Sequence, residues 1–201
     1  MGAVATATTS GRLKRERTAW MDLAERTDKR ISLAMYLAHT AGALDVFVLL
    51  FWILPRPEGG DPRENLVANL IALAVYLPLS TIAAKWMARR FSATSLDWIR
   101  QHRAPTPEER DNVIRTPLKC LRLDGALWAG GAVLFTLVNW GDSMDAAVHI
   151  GTTIALGGIT VCAVAYLLSE HYGAPVTELA LSFGPPAHPQ WPGVKGRLLL
   201  A

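Results

Sequence analysis

The sequence is poor in cysteine and in the residue patterns that mark active sites. Its 201 residues include two cysteines, Cys120 and Cys162, which cannot build a disulfide framework and lack the spacing and His neighbours of a zinc site. A Walker loop, a GxGxxG turn before a helix and the common nucleophile motifs are all absent. The sequence therefore predicts no catalytic residue, no metal site and no cofactor in this chain.

Basic charge is missing from long parts of the chain. Fifteen of the twenty Lys and Arg residues fall in residues 1–30 and 85–119, so the segments between them are almost free of basic charge. The net charge is only +3, and the basic residues flank apolar runs instead of sharing one face. This distribution argues against binding of nucleic acid, which needs a concentrated basic surface.

Four apolar stretches approach the length of about 20 residues that a helix needs to cross a bilayer. They lie at about 31–54, 66–86, 120–140 and 146–169. The first begins too late in the chain and is too long to be a signal peptide. The alternative is a soluble helical bundle, but successive connections are alternately rich and poor in basic residues, as the positive-inside rule requires. The sequence predicts an all-α integral membrane bundle of four transmembrane helices in the plasma (inner) membrane, with both termini cytoplasmic.

Three segments are expected on the cytoplasmic side, namely the basic residues 1–30, the basic loop 87–119 and the tail 170–201. Helix-forming residues dominate the first of them from Leu13 to Arg30. This stretch is either an amphipathic helix on the inner leaflet or an extension of the first membrane helix. The sequence alone leaves both alternatives open.

The basic loop contains a helix start in its second half. Thr106 supplies an N-cap hydroxyl, Pro107 suits the first helical position, and Glu108 and Glu109 follow in the first turn. We therefore expect the second and third membrane helices to extend into the cytoplasm as a helical hairpin. Candidate contacts to lipid headgroups at its base are Lys85, Arg89 and Arg90.

Polar side chains inside the apolar stretches are functional candidates, because burying them in a membrane is costly. Asp45 is the clearest, and a hydrogen-bond donor such as Asn69 or His149 would lower its cost of burial. Such a group of residues either senses protons or ions or only fixes the packing of the helices. Asp124, beside Arg122 near the inner interface, is expected to snorkel toward water. The predicted intramembrane polar network consists of His39, Asp45, Asn69 and His149.

The order of these features resembles the membrane anchor of bacterial class III adenylate cyclases, in the branch where a six-helix anchor precedes HAMP and cyclase domains. The resemblance covers Leu96 to Leu181, and the first ninety residues match in pattern only. The motifs that carry it are Trp98-Ile99, Pro105 to Glu109, Thr116 to Lys119, Tyr166 to Glu170 and Pro175 to Leu181.

The resemblance implies an anchor and sensor module that couples a membrane-borne signal to HAMP and cyclase domains and that works as a homodimer. Its expected partners are the lipid bilayer and a lipid or membrane-protein effector. Gly193 to Ala201 look like the start of the fifth anchor helix, so we expect either a chain truncated there or a short relative, without catalysis of its own. A stand-alone multi-pass membrane protein that binds lipid or a partner protein is the alternative.

Overall fold

The computed structural model describes residues 2–53, 62–141 and 143–188, which are helical nearly throughout and contain no strand. Helix α1 (Gly2–Val48) continues as a short π-helix (Leu49–Ile53), and α2 (Pro62–Arg100), α3 (Pro107–Asn139) and α4 (Met144–Leu181) follow. Each of the four α-helices contains a stretch long and apolar enough to cross a membrane. The predicted all-α membrane bundle is confirmed.

All four helices extend beyond the apolar stretches at one end of the bundle. This end, formed by residues 17–30, 88–119 and 170–188, is called the basic end below. Helix α1 passes through residue 30 without a break, so its charged part is an extension of the first membrane helix. Helix α4 continues to Leu181, beyond residue 169, where the fourth apolar stretch was predicted to end. Pro175 lies inside this helix, although its ring removes one backbone N–H donor and crowds the carbonyl four residues earlier.

The helices are arranged in the spatial order α1, α4, α3, α2. Helix α4 packs against both α1 and α3, α2 packs mainly against α3, and α1 and α2 make few contacts with each other. The central helix α4 has twelve buried residues, whereas the most apolar part of α2 has none. An open groove therefore separates α1 from α2 in the membrane part of the bundle, and residues of α3 and α4 form its floor.

Glycines in α4 allow its close contact with α3. A Cβ atom at Gly158 would lie 2.7 Å from the Cβ of Trp128, and one at Gly151 would overlap the side chain of Thr136. Helices in lipid associate through van der Waals contact, and small residues let their backbones approach. These two glycines therefore determine how deeply the Trp128 and Thr136 side chains of α3 lie against α4.

A hydrophobic core joins all four helices at the basic end. Trp98 is fully buried there and donates a hydrogen bond from Nε1 to the Ser95 carbonyl, at 2.9 Å. Trp20 of α1 packs edge-to-face against Trp98, with the ring centroids 6.0 Å apart. The α1 and α2 helices thus meet at this end, although the groove separates them in the membrane part. The buried members of this core are Trp98, Ile99, Val113, Val176 and Ala180.

The predicted hairpin of α2 and α3 is confirmed, and side chains fix its turn. Thr106 Oγ1 accepts a hydrogen bond from the Glu109 amide at 3.3 Å, and the Glu109 carboxylate accepts one from the Thr106 amide at 2.8 Å. Arg103 donates two hydrogen bonds to the same carboxylate, at 2.5 and 2.6 Å. The hydrogen bonds from Arg103 lower the pKa of the Glu109 carboxyl, and the bond from the Thr106 amide lowers it further. Burial raises this pKa, but by less, so it lies below its usual range.

We expect Glu109→Gln to lower the free energy of unfolding by about 1 kcal/mol near neutral pH, because the charge-assisted bonds from Arg103 are lost at a partly exposed site. Because the pKa of Glu109 is lowered in the folded state, the contribution of its carboxylate to the free energy of unfolding is fully present above the ordinary glutamate pKa of about 4.3. It is lost as the pH falls through the lowered value. Chemical unfolding in detergent at a series of pH values measures the difference from wild type.

The matched control for this experiment is Glu108→Gln. Glu108 lies in the same first turn of α3, is exposed and has no ion pair with a described residue. Both variants remove one favourable charge from the helix N-terminus, so their difference isolates the Arg103 interaction. Equal destabilisation by the two variants at neutral pH would contradict the assignment.

Candidate functional site

The groove between α1 and α2 has a volume of about 1410 Å³ and is lined by residues of all four helices. Apolar side chains dominate its walls, and polar side chains lie at three levels along it. Asn69 and Asn139 lie toward one end, His39 and Asp124 lie at an intermediate level, and Thr27 is among the polar residues at the basic end. Concave, mostly apolar sites with a few polar groups are typical of ligand-binding sites.

At the intermediate level, His39 of α1 reaches across to α3. Its Nδ1 accepts a hydrogen bond from Trp128 Nε1 at 3.1 Å, and its Nε2 lies 3.3 Å from Asp124 Oδ1. An indole N–H can only donate, so the His39 Nδ1 carries no hydrogen in this arrangement. The other ring nitrogen, Nε2, faces the carboxylate of Asp124.

Asp124 is buried, and the expectation that it snorkels toward water is wrong. The residue is 5% exposed, and its Oδ2 atom has no hydrogen-bond partner among the described residues. Asp124 and Trp128 are four residues apart and share the face of α3 that points into the bundle. Arg122, two residues earlier, is on another face and is exposed. No described Lys or Arg lies within ion-pair distance of Asp124.

A second polar contact joins α2 to α3. Asn69 Nδ2 donates to Asn139 Oδ1 at 2.9 Å, and Asn139 Nδ2 donates to Asn69 Oδ1 at 3.0 Å. Asn139 also donates to the Phe135 carbonyl at 2.7 Å and is 1% exposed. Because both amides satisfy each other inside the bundle, this pair fixes the register of α2 against α3.

The four residues of the predicted polar network do not come together. Asp45 is exposed and has no hydrogen bond or ion pair with a described residue. His149 lines the groove, but its Nε2 atom is buried and has no partner among the described residues. His39 contacts Asp124 in place of Asp45, and Asn69 pairs with Asn139. The pairing of Asp45 with Asn69 or His149 is therefore not formed.

The three candidate headgroup contacts lie on α2, toward the basic end. Lys85, Arg89 and Arg90 are all exposed, and the Arg90 guanidinium lies 5.1 Å from the centre of the Trp86 ring. Lys85 also lines the groove. Their exposure is compatible with contact to lipid headgroups, and this role stays a prediction.

Sequence reasoning missed a junction at the basic end, where the segment after α4 returns to the start of α3. Arg110 is buried and donates hydrogen bonds to the carbonyls of Pro185, at 2.8 Å, and Pro105, at 2.9 Å. Gly184 lies under this guanidinium with a φ of 133°, a conformation that favours glycine. The segment that leaves α4 is thereby held against the tip of the hairpin.

Asp111 forms the other half of this junction. Its carboxylate contacts His188 Nδ1 at 2.7 Å and accepts a hydrogen bond from the His188 amide at 3.4 Å. The Ala187 amide donates to the Pro107 carbonyl at 3.4 Å. Burial alone would raise the pKa of the Asp111 carboxyl, but the bonds from His188 and the charge of Arg115 outweigh burial and lower it. Adjacent Arg110 and Asp111 in a helix start were the only sequence signal for this contact.

Comparisons with known proteins give relatives that are themselves uncharacterized. No protein family matches it, and no solved structure does. It is 26% identical over 180 residues to uncharacterized proteins of Mycobacterium tuberculosis and of Mycobacterium bovis. The matched region covers 87% of this chain but 31 to 32% of each relative. The chain thus spans about a third of the length of the curated relatives it matches.

We expect Asn69→Ala and Asn139→Ala to be energetically coupled. Hydrogen bonds between membrane helices average about 0.6 kcal/mol, so a double-mutant cycle on this reciprocal pair should give about 1 kcal/mol. Reversible unfolding in mixed detergent, followed by circular dichroism, measures it. The control cycle combines Asn69→Ala with Thr160→Ala, an exposed residue of α4. A coupling energy no larger than that of the control cycle would show that the pair does not fix the helices.

We expect Asp111→Asn to loosen the segment after α4. The amides of Ala187 and His188 should exchange hydrogen about threefold to tenfold faster, as loss of a hydrogen bond to a charged group predicts. Hydrogen exchange followed by mass spectrometry measures this effect. Asp97→Asn is the control, because Asp97 lies at the end of α2 and its carboxylate accepts from Gln101. Unchanged exchange in Asp111→Asn, or the same change in both variants, would contradict the junction.

Proposed function

We propose that the chain is the membrane-anchor and sensor module of a longer signalling protein of the kind found in bacterial class III adenylate cyclases. In this role it couples a membrane-borne signal to HAMP and cyclase domains. The chain itself has no catalytic role, and the cyclic AMP chemistry takes place in the attached domains. It acts as a homodimer in the cell membrane, with the basic end and both termini in the cytoplasm.

The junction at the basic end carries this proposal. The hydrogen bonds of Arg110 and Asp111 hold residues 185–188 against the hairpin of α2 and α3. The core around Trp98 joins the same hairpin to α1 and α4. A chain that continues beyond this point would start from a place where all four helices meet. A change in the position of any membrane helix would then be transmitted to it.

Two further observations support the proposal. The relatives are about three times as long as the matched region, which leaves room in them for attached domains. The basic residues concentrate at one end of the bundle, and the positive-inside rule places that end in the cytoplasm, where ATP is available. Trp86 lies near that end of α2, at the level where aromatic side chains favour the headgroup layer.

The proposal is tested first by the gene and then by activity. The reading frame beyond codon 201 should encode a HAMP linker and a cyclase domain. Membranes that contain the full-length protein should convert ATP with magnesium or manganese to cyclic AMP, whereas membranes that contain residues 1–201 alone should match an empty-vector preparation. An unrelated downstream gene, or cyclic AMP formation by residues 1–201, would overturn the proposal.

A stand-alone multi-pass protein that binds lipid or a partner protein is the second candidate. It is favoured by the open groove and by the uncovered apolar surface of α2, with exposed residues such as Val67, Ile71, Val75 and Leu79. Surface of this kind is covered by lipid or by another helix in the membrane. The downstream reading frame separates the two candidates, since a stand-alone protein needs no cyclase domain.

A further inference from the structure

The lining of the groove is acidic, although the chain is basic overall. Four carboxylates, those of Asp28, Asp124, Glu170 and Glu178, line the groove against the single ammonium group of Lys85. The whole chain carries a net charge of +3. A concave surface lined by one sign of charge, with apolar walls, concentrates ligands of the opposite sign.

Asp124 provides a second, independent indication of a cationic ligand. Its neighbour His39 accepts a hydrogen bond from Trp128 at Nδ1 and faces Oδ1 through Nε2, and no described Lys or Arg pairs with the carboxylate. One oxygen, Oδ2, has no partner among the described residues, and the residue is 95% buried. A buried carboxylate with one oxygen left without a partner in an apolar environment is costly, and a cation bound beside it would offset that cost.

We propose that the groove binds an amphiphile with a protonated amine head and an unbranched apolar tail. The amine pairs with Asp124, and the tail lies between α1 and α2, along side chains such as Met35, Leu73 and Leu77. The groove volume of about 1410 Å³ exceeds the roughly 300 to 1,000 Å³ of ordinary ligand pockets, so it accommodates a long chain. This site goes beyond the proposed function, because it depends on the four-helix fold and not on attached domains.

Three probes of equal chain length test the proposal, namely dodecylamine, dodecanol and dodecanoic acid. Residues 1–201 are reconstituted in phosphatidylcholine nanodiscs, and binding is measured by equilibrium dialysis against empty nanodiscs. We expect saturable binding of the amine at least about tenfold tighter than that of the alcohol, because only the amine supplies a charge. The carboxylic acid should bind most weakly, since its charge repels Asp124.

Two substitutions of Asp124 distinguish binding of the amine to this carboxylate from a general attraction of the amine to negative charge in the membrane. Asp124→Asn should bring amine binding to within about twofold of alcohol binding, whereas Asp124→Glu should keep the preference for the amine. Asp45→Asn is the matched control, because Asp45 is an exposed acid of α1 that does not line the groove. Circular dichroism and size-exclusion chromatography establish that each variant is folded.

A second matched pair locates the tail. Leu77 and Leu79 lie on the same helix and are 54% and 61% exposed, but only Leu77 lines the groove. Leu77→Trp should therefore weaken binding of both the amine and the alcohol by about tenfold, and Leu79→Trp should leave both unchanged. The large indole fills the space that the tail needs.

The proposal is overturned if wild-type protein binds the amine and the alcohol equally, or if folded Asp124→Asn keeps the full preference for the amine. Equal losses in Leu77→Trp and Leu79→Trp would place the tail outside the groove and also overturn it. None of these results bears on the downstream reading frame or on cyclic AMP formation. Failure of the ligand site and failure of the proposed function are thus distinguished.

Discussion

Two helices in lipid gain little from hiding apolar side chains from water, so α3 and α4 stay together only where their surfaces fit closely. The fit depends on Gly151 and Gly158, which leave room for Thr136 and Trp128 of α3. Trp128, held against α4 in this way, is in position to donate its N–H to His39 of α1. Contact between α3 and α4 therefore also positions the side chain through which α3 contacts α1.

This arrangement explains why the groove is open. Helix α1 rests on α4 and helix α2 rests on α3, so the two outer helices meet where the core at the basic end joins them. The contacts of His39 join α1 to α3 across the floor of the groove and do not reach α2. Most apolar side chains in the membrane part of α2 consequently stay exposed, since α3 covers only one side of this helix.

The features that the sequence predicted well are those that depend on local chemistry. Apolar length predicted the four spans, and Thr106 with Pro107 predicted the start of α3. The features that it predicted poorly depend on which face of a helix meets which neighbour. Asp124 was expected at the interface because only its position along the helix axis could be judged from the sequence. Its burial depends instead on the face of α3 that carries it, which points into the bundle. The polar residues that follow Ser169 likewise gave no indication that α4 continues to Leu181.

One helix connects the groove to the junction. Helix α3 carries Asp124 at the floor of the groove and carries Arg110 and Asp111, about 20 Å away at 1.5 Å per residue, at the junction. A displacement of α3 as a whole along its axis moves Asp124 together with the two residues that hold the segment after α4, and Pro117 lies between these two places. Coupling between the two places requires a second arrangement of the bundle that a ligand prefers. Helix α2 is the helix best able to take up a second position. It packs mainly against α3 and makes few contacts with α1 across the groove.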